Sequence, residues 1–336
     1  MELACSPDES FEGGEGWNLS DRLLNLASSF CRRLPAGRRT AFAACHALAG
    51  RPQRFLLRFQ DFLFVVDCGD LQSRDTALYG IPEAVTAGLI LSQIREGDVI
   101  ADIGANKGLL SLLMARKAGR SGRVLAYEPD PRNYRDLAIN ARLNRDRLNV
   151  IPIPRAIFSC SGPLPFDRSA WRDRKSGLGR IVEGDAPSGA SILVEGVTLD
   201  EEMNRLGMPK IDFVKVDIEG GEVEAIKGMW RSLAERRIGA LVMELHDFQG
   251  GRFHLTREQT EELLGVFQAA GYDGILVDPD DFSESEGRAW LQGAEPSFEH
   301  KSQPVSNYSR EERNQRSNGR WLRPLQLLFR PGRSLA

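Results

Sequence analysis

Acidic and glycine residues follow two neighbouring apolar runs of the chain in a pattern that suits a nucleoside ligand. In VIADIGANKGLL, Asp102 nearly ends the apolar run, and Gly104 and Gly108 flank the turn before a leucine-rich segment. Glu128 ends the next apolar run, RVLAYEPDP, about twenty residues further on. Glycines allow close approach of a backbone to a ligand, and an acid at the second position can accept both ribose hydroxyls. A glycine turn alone fits a simple strand-to-helix connection, but the two features together predict a nucleoside site.

A second group of charged residues follows two later apolar runs, IDFVKVDIEGGE and ALVMELHDF. Lys215 and Asp217 lie two positions apart and share one side of a strand, and Glu219 follows in the turn. Glu244 and His246 share one side of the next strand if that strand extends so far. Histidine has the reference pKa nearest neutrality, so His246 is the first candidate for a general base, with Asp217 and Glu219 as the others. A buried Lys–Asp pair without chemistry is the alternative interpretation of Lys215.

The same residues raise the question of a metal ion. Asp217, Glu219, Glu244 and His246 could together collect a hard divalent cation. Charge pairing with Lys215 explains the acids equally well, so the sequence predicts no metal ligand, although it does not exclude a divalent metal.

Apolar runs alternate with amphipathic segments through the middle of the chain, which predicts a doubly wound α/β fold with a mostly parallel sheet. Ligands of such folds bind at the carboxyl ends of the strands, where the residues above lie. We expect a core domain over residues 96–300 and a helix-and-hairpin cap over 21–95. An acidic, unstructured segment over 1–20 precedes them, and a basic tail over 301–336 returns a last strand through LQLLF.

The cap carries an unusual charge distribution, because residues 22–60 hold eight arginines and no acid. Within it SDRLLNLASSFCRRL predicts an amphipathic helix with Ser20 as its N-cap. We expect this helix to pack on the core domain, and peripheral contact of residues 20–58 with an anionic membrane is the alternative. RFLLRF and FLFVV predict a hairpin over Arg54 to Val66, and YGIPEAVTAGLILSQI predicts a helix that opens after Pro82.

Composition excludes several classes of protein. The 336 residues are 41% hydrophobic and 27% charged, which is typical of a globular enzyme, and the net charge of −3 disfavours a nucleic-acid binder. No apolar run approaches the roughly 20 residues of a membrane span, and the acidic start of the chain does not resemble a signal peptide. Five widely spaced cysteines without a CxxC pair predict neither disulfides nor structural zinc. The expected protein is therefore cytoplasmic, with reduced thiols.

Taken together, these motifs resemble the FkbM-type S-adenosylmethionine-dependent methyltransferases. The resemblance rests on YGIPE, VIADIGANKG, YEPDP with a following Asn140, RAIFSCSG, VTLDEE and above all KVDIEGGEVEAIKG with MELH after it. It covers roughly Arg54 to Gly274 and departs at Gly221, where alanine is common. It implies a Rossmann-like, seven-stranded sheet, S-adenosylmethionine as the cofactor, and O-methylation of a hydroxyl on a sugar, glycan or secondary metabolite.

The resemblance also assigns roles to individual residues. The turn after Asp102 would lie beneath the methionine moiety, Glu128 would bind the ribose, and Ala156 would leave space for the adenine. The residues assigned to the cofactor are Asp102, Gly104, Ala105, Asn106, Gly108, Glu128, Pro129, Ala156 and Asp217. Those assigned to the acceptor are Tyr79, Glu83, Lys215 and Glu244. Tyr79 and Glu83, four positions apart, would share one face if their segment is helical.

Other interpretations stay open at this point. The stretch from Ser159 to Gly196, with Phe166 and Trp171, is expected to form part of the acceptor pocket or a lid. A nucleoside-cofactor-binding protein without activity would keep the first two strand ends but would not need the later acids and histidine. An NAD-dependent oxidoreductase would need the G-x-G-x-x-G spacing, which the turn at Gly104 lacks. We expect a small-molecule or glycan acceptor, and the oligomeric state is open.

Overall fold

The computed structural model describes most of the chain, and its elements follow the predicted alternation. The described residues are 18–34, 36–59, 61–169, 176–182, 191–245, 257–291, 303–304 and 325–332. The strands are β1 (Arg54–Phe59), β2 (Phe62–Asp67), β3 (Val99–Ile103), β4 (Arg123–Tyr127), β5 (Val150–Ile153), β6 (Ala156–Ile157), β7 (Gly162–Asp167), β8 (Arg180–Ile181), β9 (Ser191–Val197), β10 (Ile211–Val216), β11 (Ile238–Leu245), β12 (Tyr272–Val277), β13 (Gln303–Pro304) and β14 (Leu325–Pro331). The helices are α1 (Leu19–Arg33), α2 (Arg38–Leu48), α3 (Leu71–Tyr79), α4 (Ala84–Ser92), α5 (Leu109–Ala118), α6 (Pro131–Asn144), α7 (Leu199–Arg205), α8 (Glu222–Lys227), α9 (Trp230–Ala234), α10 (Arg257–Ala269) and α11 (Glu284–Leu291).

The large sheet has the order β13-β12-β14-β11-β10-β3-β4-β5. The strands from β11 to β5 pair in parallel, whereas β14 runs antiparallel to both β11 and β12. The predicted seven-stranded, mostly parallel sheet is confirmed, and the two-residue β13 pairs with the outer edge of β12. The run LQLLF forms most of β14, so the predicted last strand is confirmed as well.

Both faces of this sheet are buried, as the apolar strands require. On β4, Val124 and Ala126 pack into the core on one face, whereas Leu125 and Tyr127 pack into the core on the other. Helices α4, α5 and α6 contribute to the first core, and α7 to α10 contribute to the second. The covering by helices on both faces explains why these strands show no alternation of apolar and polar residues.

A second, smaller sheet accounts for part of the stretch that we expected to be a pocket loop or lid. Its order is β6-β9-β7-β8, and β7 pairs antiparallel with both neighbours. Leu164, Phe166 and Val194 are buried in a small core of their own. The close packing depends on Gly196, because a Cβ atom there would lie 2.3 Å from a methyl carbon of Leu164. Trp171 lies outside the described residues.

The N-cap residue of helix α1 differs from the predicted one. Asn18, not Ser20, caps α1: its side chain accepts a hydrogen bond from the Asp21 amide, and the Asp21 carboxylate accepts one from the Asn18 amide. The reciprocal pair satisfies two exposed amides at once, which a serine two residues later could not do. The Ser20 hydroxyl instead donates to the carbonyl oxygen of Ala49 and holds α1 against α2.

The predicted hairpin forms, with Phe59 opposite Phe62, and two asparagines of α6 hold its outer strand. The side-chain oxygen of Asn140 accepts from the Val65 amide and its nitrogen donates to the Lys107 carbonyl oxygen, both at 2.8 Å. Asn144 bonds both backbone groups of Leu63 in the same way. These side chains satisfy the backbone groups of β2 where a neighbouring strand would otherwise do so.

A buried ion cluster joins the cap to the turn after β3. Lys107, in that turn, lies 2.9 Å from Asp70 and 3.8 Å from Asp136, measured between Nζ and the carboxylate oxygens. Arg54 on β1 bonds directly to Asp136. All four side chains are buried, and Asp70 also caps α3 by accepting from the Ser73 amide. Each charge therefore has a partner of opposite sign, as burial demands.

In the part of the chain that the structure describes, no helix is both long and apolar enough to cross a membrane.

We expect Asp136→Ala to lower the free energy of unfolding by about 3–5 kcal/mol, because Arg54 and Lys107 would lose a buried countercharge. Urea titration followed by circular dichroism measures the change. Asp146→Ala is the control, because Asp146 is exposed and its loss should change stability by less than about 0.5 kcal/mol. Equal stabilities of the two variants would show that the cluster contributes little.

Candidate functional site

A pocket opens at the carboxyl ends of β3, β4, β10 and β11, and most of the residues that the sequence singled out line it. They come from the turns after β3, β4 and β10, from strands β6, β10 and β11, and from the cap. The predicted residues in its walls are Glu83, Gly104, Ala105, Asn106, Glu128, Pro129, Ala156, Lys215, Asp217, Glu219 and Glu244.

Three of the predicted residues that the structure describes lie outside the walls of the pocket. Asp102 is fully buried behind the pocket wall, and Gly108 packs against Leu137 of α6. Tyr79 does not line the pocket, and His246 lies outside the described residues.

The segment from Tyr79 to Glu83 is not one helix, so the condition for these two side chains to share a face is not met. Tyr79 ends α3, where its ring lies 5.4 Å from the guanidinium carbon of Arg38, whereas Glu83 only begins α4. Gly80, with a φ angle of 87°, and Pro82 lie between the two helices and break the continuous turn that would have placed both side chains on one face. Only Glu83 faces the pocket.

Lys215 occupies the centre of the site. Its Nζ donates to the carbonyl oxygen of Gly104 at 2.9 Å and lies 3.3 Å from Asp102 and 3.4 Å from Asp217. Burial alone would lower the pKa of this lysine, but the two carboxylates outweigh it and raise the pKa. The lysine therefore stays charged. The predicted pairing with an acid is confirmed, and Asp102 is a second partner.

Gly104 is required by a close approach of two backbones. A Cβ atom at this position would lie 1.9 Å from the carbonyl oxygen of Asp217, well inside any tolerable contact, and the φ angle of 81° is one that glycine adopts freely. The turn after β3 can thus lie directly against the turn after β10. This contact forms the floor of the pocket.

Glu128 is held as a fixed acceptor at the end of β4. One carboxylate oxygen accepts from the Asn106 amide at 2.8 Å, and the other accepts from the Asp130 amide at 2.9 Å. Each oxygen keeps a second lone-pair direction, so the group can accept two further hydrogen bonds, as a vicinal diol would donate. Burial raises the pKa of Glu128 to about 7, although the two amides and the Lys215 charge act in the opposite direction.

Left-handed backbone conformations concentrate around the pocket. Glu83, Asn106 and Glu219 have φ angles of 50°, 50° and 57°, and all three line it. Among the described residues only Arg51 and Arg236 share this conformation without being glycine. Backbone strain of this kind persists where the surroundings impose it and is typical of ligand-binding sites.

The small sheet closes one side of the pocket. Its Phe166 and Ile181 line the wall, and the short 3-10 turn at Ser176–Leu178 lies against the turn after β3. Asn106 donates through its side-chain nitrogen to Gln72 of α3 at 2.8 Å, whereas its buried side-chain oxygen has no hydrogen-bond partner in the described structure. A ligand donor would satisfy this oxygen.

The opposite side of the pocket is polar and contains residues that the sequence did not indicate. Gln326 of β14 donates to Glu244 at 3.2 Å, and both line the pocket together with Thr86 of α4. A glutamine inside the apolar run LQLLF was the available signal for Gln326, since an amide on a buried strand needs a partner. Lys107 had no comparable signal, because its partner Asp70 lies 37 positions away.

The described residues contain no group of three or more histidines, cysteines or acids placed to hold a metal ion. Asp217, Glu219 and Glu244 therefore do not form such a group by themselves, and His246 lies outside the described part.

The strand order with β14 reversed, and a pocket at the carboxyl ends of β3 and β4, define the fold of the Rossmann-like class I methyltransferases. The chain belongs to the FkbM methyltransferase family. The sequence profile of the methyltransferase FkbM domain matches residues 102–273, which is just over half of the chain. The resemblance drawn from the motifs is thus confirmed.

Two relatives and one solved structure extend the comparison. The hexuronic acid methyltransferase AglP of Haloferax volcanii is 31% identical over 47% of this chain and 60% of its own length. The methyltransferase sdnD of Sordaria araneosa is 29% identical over 41% of this chain and 63% of its own length. The chain therefore spans less than two thirds of either relative. Fibrillarin of Aeropyrum pernix with bound S-adenosyl-L-methionine aligns with 83% of this chain and 94% of its own, at 15% identity and a TM-score of 0.38, which is too loose to support an argument.

The raised pKa of Glu128 predicts a pH-dependent stability. The folded protein binds a proton here up to about pH 7, whereas an unfolded glutamate releases it near about pH 4.3. Protonated Glu128 therefore stabilises the folded state fully below the pKa of the unfolded chain, and this stabilisation is lost as pH rises through the pKa of the folded protein. As pH rises between these limits, the unfolding free energy of Glu128→Gln should increase relative to that of the wild type by on the order of 4 kcal/mol.

Urea unfolding of both proteins across this pH range measures the difference, since all other titrating groups cancel. A difference in unfolding free energy that does not change with pH would contradict the assignment.

Proposed function

We propose that the protein is an S-adenosylmethionine-dependent methyltransferase that methylates a hydroxyl of a sugar, glycan or secondary metabolite. The observation that carries the proposal is the carboxylate of Glu128, fixed by two amides beside the Gly104 turn and able to accept a ribose diol. Residues 96–300 would form the methyltransferase domain and residues 21–95 its cap.

The residues of the pocket fit this cofactor. The turn from Gly104 to Asn106 leads into α5, whose N-terminal amides suit the methionine carboxylate. Glu128 would bind the ribose, Pro129 and Ala156 would border the adenine, and Asp217 would accept from the methionine amino group. The orphaned side-chain oxygen of Asn106 supplies one more acceptor toward the ligand.

S-adenosylmethionine supplies an already activated methyl group, so the protein needs only to align the acceptor and remove its proton. We propose that His246 accepts the proton of the acceptor hydroxyl, with Asp217 and Glu219 as the alternative bases. Asp217 is already paired with the Lys215 ammonium at 3.4 Å, which leaves it better suited to binding than to accepting a proton. Glu219 and Glu83 line the same pocket and would orient the acceptor.

The polar wall favours an acceptor with several hydroxyls. Glu83, Glu244, Gln326 and Thr86 offer carboxylate, amide and hydroxyl groups, which suit the diols of a sugar. One relative is named for a hexuronic acid, which is a sugar acid. We therefore propose a carbohydrate or other polyhydroxylated molecule as the acceptor.

Two other functions can be tested against this one. An NAD-dependent oxidoreductase would need the G-x-G-x-x-G spacing, which the turn at Gly104 lacks. A cofactor-binding protein without activity would not need Glu83, Glu219 and Glu244 in the same pocket as Glu128.

The first test is binding of the demethylated product, S-adenosylhomocysteine, by titration calorimetry. Above about pH 7, where Glu128 is ionised, Glu128→Ala should weaken binding by about 1.5–3 kcal/mol, because two hydrogen bonds to a charged acceptor are lost. Asp212→Asn is the matched control: Asp212 also accepts a backbone amide, from Val99 at 3.0 Å, but at the opposite end of the sheet. Equal affinities of the Glu128 and Asp212 variants would refute the ribose assignment, and tighter binding of NADH than of S-adenosylhomocysteine would favour the oxidoreductase.

The second test is activity. Methyl-labelled S-adenosylmethionine is incubated with the protein and a panel of sugars, sugar acids and glycans, and we expect label on an acceptor oxygen. Wild-type protein that binds the cofactor but labels nothing in the panel, or in a metabolite extract, would favour the non-catalytic alternative.

Once an acceptor is known, His246→Ala should lower turnover about 10²–10⁴-fold and leave cofactor affinity nearly intact, as for the loss of a general base. Asp217→Asn should lower both quantities. Turnover is measured against pH for both variants. If His246→Ala keeps near-normal turnover and the same acidic-limb pKa, Asp217 takes the role of the base.

A further inference from the structure

Helix α1 carries apolar side chains on two different faces. Leu24, Ala27 and Cys31 face inward and are buried in the core of the cap. Leu19, Leu23, Leu26 and Phe30 face outward and are 42–73% exposed. The inward face accounts for the packing of α1 on its neighbours, and among the described residues no buried apolar cluster includes the side chains of the outward face.

The outward residues form one stripe rather than a scatter. At about 100° per residue, Leu19, Leu23, Leu26 and Phe30 fall within roughly 60° of one another around the helix. Leu48, at the end of α2, is 84% exposed, and the bond from Ser20 to Ala49 holds that end of α2 beside α1. Five of the nine exposed large apolar side chains of the described residues thus lie on α1 and α2. Single exposed apolar residues are ordinary, but a contiguous stripe indicates a binding surface.

Two arginines lie along one side of this stripe. Arg22 and Arg33 lie on α1 beside it and are exposed, as is Arg51 just after α2. The acid of the same helix, Asp21, is buried and occupied with capping α1 and with the Leu56 amide, so it does not cancel the charge at the surface. An apolar stripe bordered by arginines is complementary to the surface of an anionic bilayer.

We propose that the outward face of α1 with Leu48 docks the protein on an anionic membrane surface. Leu26 and Phe30 enter the boundary of the acyl chains, and Arg22 and Arg33 remain at the level of the phosphate groups. The helix lies in the plane of the interface and does not span it. Because α3 contacts α1 and also lines the pocket, docking through α1 would link the membrane-bound helix to the pocket through α3.

The test uses the full chain and co-sedimentation with vesicles of phosphatidylcholine alone, or with phosphatidylserine added. We expect binding to the anionic vesicles that exceeds binding to the neutral ones and weakens as the salt concentration rises. Arg22→Gln with Arg33→Gln should reduce the partition coefficient roughly twenty-five-fold, at about five-fold for each arginine. Leu26→Ser with Phe30→Ser should reduce it about a hundredfold.

Matched controls come from outside the cap. Leu193 and Leu206 are 71% and 39% exposed, and their replacement by serine should leave binding unchanged. The exposed Arg123 and Arg145 serve the same purpose for the arginine pair. Circular dichroism shows whether each variant is folded. If the Leu26→Ser, Phe30→Ser variant does not fold, the Arg22→Gln, Arg33→Gln variant still tests the proposal.

Three results would overturn the proposal. The first is the absence of wild-type binding to anionic vesicles, and the second is equal binding to neutral ones. The third is a concentration-dependent dimer that the serine pair abolishes without any vesicle binding, which would assign the stripe to a second copy of the chain.

Discussion

The buried ammonium of Lys215 is the interaction on which the arrangement of the site depends. It bonds the backbone of the turn after β3 and pairs with one carboxylate on β3 and one just after β10, so it fixes two neighbouring strand ends to each other. A charge in a sheet interior is tolerated only when it is fully paired, as this one is. Its partner Asp102 also accepts from the Ser111 hydroxyl of α5, which extends the same network into the helix behind the turn. The absence of a side chain at Gly104 completes the contact, because no other residue would let the backbones meet.

The cap reaches this centre through polar contacts rather than through apolar packing alone. Lys107 lies in the turn after β3, three residues after Gly104, and pairs with Asp70, the residue that caps α3. Gln72 of the same helix bonds Asn106, and Asn106 in turn positions Glu128 through its amide. A shift of α3 would therefore move the groups that we assign to the ribose. The cap is part of the site and not a separate appendage.

Much of the fold was predictable because its signals are local. Apolar runs, glycine turns and acids at strand ends each fall within a few residues, and the family motifs link them; the seven-stranded sheet, the hairpin and the last strand follow directly. The contacts that could not be predicted from the sequence join residues far apart in the chain. Arg54 pairs with Asp136 across 82 positions, and Gln326 bonds Glu244 across another 82. Periodicity cannot reveal such pairs. Tyr79 was expected to share a helix face with Glu83, but the chain leaves the helical conformation at Gly80.

The central claim is that the carboxyl edge of β3 and β4 is built in advance to accept a nucleoside. A crystal structure with S-adenosylhomocysteine tests it most directly. The account predicts both ribose hydroxyl oxygens within about 3.2 Å of the two Glu128 oxygens, with the bonds from the Asn106 and Asp130 amides retained. A nucleoside bound away from Glu128, or a Glu128 side chain that turns out of these amides to admit the ligand, would contradict it.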